Sequence, residues 1–353
     1  MRTVIWDDDR QLVKMIDQRI LPAEFKLNEY KDHRRLSQAI RDMVVRGAPA
    51  IGAAAGYGMA LAGFESRAGT LPHLRADLDA AADELYASRP TAVNLAWALT
   101  RIKKLAARFE GGPDELRAAV LEEAQRIADE DVEINRRMAA HGAALIEDGD
   151  TVIHHCNTGA LATVDYGTAL GVIRMAHEQG KRVHVLVDET RPRLQGARLT
   201  AWELENLGIS YEIITDNAAG FFLKTGQAHR CFVGSDRTAA NGDVGNKIGT
   251  YMLALAAHDN AVPFYAVVPT STVDLDLASG DEIPIEERDP QEVLDLQQAG
   301  SWVTPDAARA GGRARNPAFD VTPARLVTGI VTENGIAYPP FVENLKQLVR
   351  RTD

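Results

Sequence analysis

CFVGSDRTAANGDVGNKIGTYMLALAA, Cys231 to Ala257, decides how this chain is read. It opens on a short apolar run, Cys231 to Val233, of the kind that forms a buried strand. A stretch rich in Gly and Asn follows, Gly234 to Lys247, and an apolar, mostly helical pattern runs from Ile248 to Ala257. A strand, a glycine-rich loop and a Lys at a helix start make an arrangement that holds phosphate. Gly lets the backbone approach closely, free amides at the helix start point at the anion, and the Lys adds charge. The same loop carries an acid, Asp236, at the strand end. A phosphate cradle with a carboxylate in its mouth points to chemistry on a phosphorylated metabolite.

The same rhythm repeats outward from this unit. Val152-Ile153, Val183 to Val187, Tyr211 to Ile214 and Phe264 to Val268 are further short apolar runs rich in β-formers. Helical patterns such as Gly167 to Glu178 and Gly196 to Leu207 separate them, which argues for a doubly wound parallel sheet. The first part of the chain reads differently. Val4 to Trp6, the turn-like DDDR and Val13 to Ile16 form a hairpin pattern, and from Leu36 to Ile146 the pattern is helical. Leu71 to Ala87, Val93 to Phe109 and Glu115 to Ile146 carry apolar residues at three and four spacing, with Gly111, Gly112 and Pro113 breaking the last two apart. The expected fold class is α/β: a small N-terminal β element plus helical domain over residues 1–148, then a Rossmann-like catalytic domain over residues 149–353. The stretch near Gly311, Gly312 and Pro317 reads as a flexible loop.

Composition narrows the partners. The chain has 353 residues and a net charge of −11, with no basic tail. Nucleic acid and anionic membrane are therefore excluded as expected partners. Cys156 and Cys231 do not make a disulfide framework, and MRTVIWDDDR lacks the apolar core of a signal peptide, so a reduced, cytoplasmic setting is expected. Gly47 to Phe64 is uncharged but built mostly of Ala and Gly with Pro49 inside. That composition transfers weakly into lipid and reads as a buried, tightly packed helix.

Each presumptive strand ends in polar or reactive residues: His155, Cys156 and Asn157; Asp188, Glu189 and Thr190; Asp216 and Asn217; Ser235 and Asp236; Thr270 and Ser271. In open parallel sheets the ligand crevice lies at the carboxyl ends of the strands. This regularity places Cys156 and Asp236 on one rim. A thiol at a strand end serves as base or nucleophile once deprotonated, whereas a free Cys is more often a small core residue; the polar neighbours of Cys156 favour function. Cys231, inside an apolar strand, reads as structural. Asp236 has two readings, helix N-cap or general acid/base, and spacing leaves both open. Arg46, before GAPAIG, and Arg89, before Pro90 and Thr91, stand where an Arg can grip a phosphate beside helix amides, although a lone Arg is more often simply solvated. Gln195 precedes a helical pattern and has two readings, a partner for a sugar hydroxyl or a polar turn residue. No cofactor and no metal are expected. GxGxxG follows none of the strands, GxxxxGK[ST] is absent, no CxxC or HExxH spacing occurs, and His154 and His155 point to opposite faces of a strand.

Taken together, RGAPAIG (Arg46–Gly52), SRPTAVNLAWA (Ser88–Ala98), HCNTGALAT (His155–Thr163), DETRPRLQGARLTAWEL (Asp188–Leu204), GSDRTAANGDVGNKIGT (Gly234–Thr250) and FDVTP (Phe319–Pro323) resemble the S-methyl-5-thioribose-1-phosphate isomerase family. That family acts in methionine salvage. Its fold is similar to the regulatory subunits of the exchange factor for translation initiation factor two. The resemblance runs from about Trp6 to Pro340 and departs from the family pattern in QEVLDLQQAGSWVTPDAARAGGRAR, after IPIEERDP. It implies an aldose–ketose isomerase in which Cys156 is a catalytic thiol and Asp236 the proton donor. Arg46, Gly47, Ala48, Arg89, Gln195, Asn246 and Lys247 are then the residues that contact the sugar phosphate. It further implies a homodimer and 5-deoxyribose 1-phosphate as a side substrate. The rivals are a ribose-1,5-bisphosphate isomerase and a non-catalytic regulatory subunit of the same superfamily, which has no need of both Cys156 and Asp236.

Overall fold

The computed structural model describes residues 1–90, 92–298 and 301–349. The chain divides into two compact units, Met1–Arg137 with Thr158–Gly171, and Met138–Asn157 with Val172–Asp353.

The first unit begins with strands β1 (Val4–Asp7), β2 (Leu12–Ile16) and β3 (Leu27–Tyr30), paired antiparallel in that order. The hairpin is as expected. β3 escapes sequence reading because LNEY carries no clean alternation and stays largely in solvent. Helices α1 (His33–Arg41), α2 (Ala48–Glu65), α3 (Leu71–Ser88), α4 (Val93–Arg108) and α5 (Pro113–Ala143) follow. Asp32 caps α1 by accepting the Arg35 amide, which satisfies one of the orphan donors of the first turn.

α2 is the unit's central element, buried without interruption from Ala50 to Gly63. Its small residues are what allow this. A Cβ on Gly52 would stand 3.0 Å from the Asn94 carbonyl oxygen, and one on Gly58 would stand 2.9 Å from Leu85 Cδ2. Neighbouring helices therefore approach closely, and the apolar Ala/Gly run is a packing device. No helix among the described residues is long and apolar enough to cross a membrane.

The second unit holds strands β4 (Thr151–His154), β5 (His184–Asp188), β6 (Ser210–Ile214) and β7 (Arg230–Val233), with helices α6 (Ala169–Glu178), α7 (Ala201–Leu207) and α8 (Ala219–Lys224) between them. β8 (Arg237–Ala239), β9 (Val244–Lys247), α9 (Thr250–Asp259), β10 (Phe264–Val267) and β11 (Val273–Asp274) come next. Then come α10 (Gln291–Leu294), β12 (Gln297–Gln298), β13 (Ser301–Trp302), α11 (Asp306–Ala310), β14 (Phe319–Thr322), β15 (Gly329–Thr332), β16 (Gly335–Ala337) and α12 (Phe341–Val349). The main sheet runs β16-β15-β10-β7-β4-β5-β6 and is parallel from β15 to β6, with β16 antiparallel at one edge. RCFV and FYAV are near-continuous buried runs, as in strands covered on both faces.

One expectation is corrected. Gly234 to Lys247 is not an open loop. It holds the β8–β9 hairpin, which joins a four-stranded sheet of order β11-β8-β9-β14. Its turn closes through the Gly242 amide to the Ala239 carbonyl and the Ala239 amide to the Asp243 carbonyl, each 2.9 Å, with Gly242 at φ 89°. Strands of three and four residues, one of them VGNK, are too short and too glycine-rich to show a period. The helix then starts at Thr250, after Gly249 at φ 102°. Ahead of Gly311 the described residues form α10, the paired β12 and β13, and α11.

Candidate active site

Parallel order puts the carboxyl ends of β4, β5, β6, β7 and β10 along one edge of the sheet. β4 and β7 are direct neighbours, with His154 opposite Phe232. Cys156 and Asp236 therefore leave adjacent strands at the same end.

Cys156 is buried, 6% exposed, and its backbone sits in the left-handed region at φ 67°. A non-glycine residue there is uncommon and needs its surroundings to hold it. Its amide donates to Thr190 Oγ1 at 2.8 Å, and its carbonyl accepts from Thr200 Oγ1 at 2.7 Å. Thr190 is itself at φ 64° and donates its hydroxyl to the Asp188 carbonyl at 3.0 Å. Asp216 fixes that turn by accepting the Thr190 and Arg191 amides at 2.7 and 2.8 Å. Asn157 is tied to Glu203 Oε1 at 2.8 Å.

The loop after β5 closes tightly. A Cβ on Gly196 would lie 1.7 Å from the Asp188 carbonyl oxygen, so only glycine fits. Gly196–Thr200 then forms a π-helical turn, a feature that often marks functional sites. Gln195, just ahead of it, is 5% exposed, and its side-chain oxygen has no hydrogen-bond partner among the described residues. A buried acceptor without a donor is costly, and a ligand hydroxyl would satisfy it.

Asp236 is exposed, with its amide donating to the Gly245 carbonyl at 2.9 Å. The next element is strand β8, and α9 is capped by Gly249. The helix N-cap reading of Asp236 therefore falls away. Asn246 and Lys247 lie in β9 and are buried. Asn246 donates to Thr250 Oγ1 at 3.0 Å, and Lys247 Nζ donates to the Ala318 carbonyl at 2.8 Å while lying 4.4 Å from the Phe319 ring centroid. The first amides of α9 are not open to an anion as expected, because Gly249 and Tyr251 donate theirs to Asp320 at 2.8 and 3.1 Å.

In the first unit, Arg46 precedes Gly47 at φ 90°, and Ala48 opens α2. A Cβ on Gly47 would lie 2.2 Å from the Ala162 carbonyl oxygen, so HCNTGALAT contributes its later residues to this unit. Arg89 caps the end of α3, and its carbonyl accepts the Ala92 amide at 3.0 Å; it closes one helix where the start of the next was expected. Thr91 lies outside the described residues.

Sequence reasoning missed the network beneath Cys156. His155 Nδ1 lies 2.8 Å from Asp188 Oδ2, and Nε2 lies 2.9 Å from the Ile248 carbonyl. The strand-end pattern contained these residues, but no spacing shows which of them bond across strands. His155, Asp188 and Asp216 bring ligand atoms within 4.8 Å of one another. His155 Nδ1, Asp188 Oδ2 and both Asp216 carboxylate oxygens are engaged in the hydrogen bonds just described. His154 is fully buried; burial pushes it down to about 4, and it donates Nδ1–H to the Phe232 carbonyl at 2.9 Å.

This is the class of protein in which a parallel sheet with loaded strand ends accompanies a helical unit, and residues 44–339 match the Initiation factor 2 subunit family. The chain is 53% identical to methylthioribose-1-phosphate isomerase of Geobacter metallireducens over 99% of both chains. It is 50% identical to the protein of that name in Synechococcus sp., over 99% of this chain and 98% of the relative. The crystal structure of 5-methylthioribose 1-phosphate isomerase from Pyrococcus horikoshii OT3 superposes with a TM-score of 0.91 at 47% identity, covering 99% of this chain and 96% of that one. A structure described as translation initiation factor eIF-2B, subunit delta, from A. fulgidus gives 0.88 at 41% identity over 99% of each. The chain belongs to the methylthioribose-1-phosphate isomerase family.

Proposed function

We propose that this chain is an aldose–ketose isomerase that converts S-methyl-5-thio-α-D-ribose 1-phosphate to S-methyl-5-thio-D-ribulose 1-phosphate in methionine salvage. The observation that carries the reading is its end-to-end likeness to enzymes of that name, on a chain that has a thiol and a carboxylate at neighbouring strand ends.

The substrate dictates the chemistry. Phosphate on the anomeric oxygen prevents spontaneous opening to a free aldehyde, so the enzyme must drive ring opening. Asp236 gives its proton to the ring oxygen as the C1–O bond to the ring breaks. Cys156, as thiolate, takes the C2 hydrogen as a proton to give an enol-type intermediate across C1 and C2; the thiol returns that proton to C1 as the C2 hydroxyl becomes the ketone, and the hydroxyl's own proton passes to the Asp236 carboxylate, which restores both groups. Gln195 accepts a sugar hydroxyl, which its orphan oxygen supports. Arg46, Gly47, Ala48, Arg89, Asn246 and Lys247 hold the sugar phosphate. The enzyme works without a cofactor, in the cytoplasm, as a homodimer. Two free cysteines support the reducing compartment, and symmetric dimers are the commonest oligomers.

An activity panel tests the reading. Methylthioribose 1-phosphate turns over fastest and 5-deoxyribose 1-phosphate more slowly. Turnover of ribose 1,5-bisphosphate alone would reassign the substrate, and silence with all three would make the chain a regulatory subunit. Arg46→Ala and Lys247→Ala each weaken substrate binding by roughly 1.5–3 kcal/mol, the range of a charged hydrogen bond.

A further inference from the structure

We propose that His155 is a positioning residue, a doubly donating clip that ties the turn after Asn246 and Lys247 to the strand end that carries Cys156. The ring is fully buried at the end of β4, one residue before the thiol. Its Nε2 faces the carbonyl of Ile248 at 2.9 Å. A carbonyl only accepts, so Nε2 carries a proton. Its Nδ1 faces a carboxylate oxygen of Asp188 at 2.8 Å. With that carboxylate ionised, Nδ1 carries a proton as well, and the ring is an imidazolium held between two acceptors.

The space around the clip is shaped to it. Gly249, next after Ile248, is at φ 102°, and a Cβ there would stand 2.8 Å from His155 Cε1. The ring therefore lies against the backbone where β9 hands over to α9. That backbone places Asn246 and Lys247, the residues assigned above to the sugar phosphate. On its other side Asp188 ends β5 and opens the loop whose Thr190 holds the Cys156 amide. One side chain thus spans both halves of the proposed chemistry within the second unit.

Electrostatics agree with the geometry. Burial alone strips the proton from the ring, but the Asp188 hydrogen bond and the charges of Asp188 and Asp216 outweigh it and raise His155 above its ordinary value. Asp188 is itself raised to about 6, chiefly by burial, with His155 opposing. Its Oδ1 is buried without a hydrogen-bond partner among the described residues, so the carboxylate depends on the ring for compensation. Asp216, Asp320 and neutral His154 are the other titratable groups that act on or respond to this ring.

The inference rests on the isomerase reading for its kinetic arm and on nothing beyond the fold for its spectroscopic arm. Histidine-labelled wild-type protein should show both His155 ring nitrogens protonated near neutral pH, and Asp188→Asn should show Nδ1 without a proton. His155→Leu should lose about 100-fold in kcat/KM, shared between KM and kcat. His155→Gln, whose amide still donates to the Ile248 carbonyl, should recover to within about tenfold of wild type, the scale of supporting-shell effects. A wild-type ring with a bare Nδ1 would overturn the proposal, as would a folded His155→Leu variant with wild-type KM and kcat. Should that variant fail to fold, the wild-type spectrum and the Gln variant still decide. A wild type inactive on the methylthio sugar phosphate sinks the substrate reading and leaves the spectroscopic result standing.

Discussion

Cys156 and Asp236 leave neighbouring strands at the same end, yet they are held in opposite ways. Cys156 is buried in a left-handed turn, its amide and carbonyl both bonded to threonine hydroxyls that are themselves anchored. Asp236 is exposed on the entry to a hairpin and is fixed by the strand pairing of that hairpin. The difference suits the two tasks. A group that removes hydrogen from carbon must be placed accurately and kept from water, while an acid that opens a ring must meet the ligand as it arrives.

The largest effects break the pair itself. Cys156→Ser and Asp236→Asn should each lower kcat by at least ~100-fold, the scale of a lost acid–base group, with circular dichroism unchanged. Near-normal turnover in either variant removes that residue from the chemistry.

The next effect separates the two settings. Thr190→Val strands the buried Cys156 amide and should cost about 1–3 kcal/mol in urea unfolding, with kcat falling alongside. Ser235→Ala removes a hydroxyl that lies 2.9 Å from Thr238 Oγ1 beside the exposed Asp236. It should cost less than about 1 kcal/mol. Equal losses from the two would erase the contrast.

A smaller signature belongs to the Cys156 side alone. His155 binds its proton more tightly folded than unfolded, so its contribution is complete below about 6.5 and is lost as pH rises through the raised value. Asp188, raised to about 6, holds its proton longer in the folded chain, so stability also falls across the window from its ordinary value up to about 6. His154, pushed down to about 4, adds the opposite slope between that value and its ordinary one, so the signature is read as a difference: relative to Asp188→Asn, wild type should lose thermal stability as pH rises through these windows. A wild-type advantage that grows with pH over the same range contradicts the assignment.

Much of this was legible in the sequence, for physical reasons. Buried parallel strands are continuous apolar runs, and such runs located β5, β7 and β10 to within a residue or two. Strand ends alone placed Cys156 and Asp236 on one edge. The charge-free Ala/Gly run read correctly as the buried α2. The hairpin within Gly234 to Lys247 did not read, because its strands are short and its turn is what the glycines serve. The Asp188–His155–Ile248 chain was hidden for another reason. Its three members are far apart in sequence, and the last bonds through a carbonyl, which no side-chain pattern reveals.

The smallest effect is also the one that asks most of the contrast. If Cys156 carries the hydrogen, it passes from C2 to an exchangeable thiol before reaching C1. In deuterated water the product should then hold deuterium at C1. Cys156 is only 6% exposed, so the thiol proton competes poorly with solvent during a turnover and incorporation should be partial. An acid at the exposed Asp236 exchanges freely and labels only oxygen, so carbon-bound deuterium reports on the buried partner alone. Thr200→Val, which removes the hydroxyl that anchors the Cys156 carbonyl, should loosen the pocket and raise the deuterium content while slowing turnover. Complete retention of the C2 hydrogen in both proteins means that it moved as hydride from C2 to C1, and Cys156 then polarises or positions the sugar instead of carrying its proton.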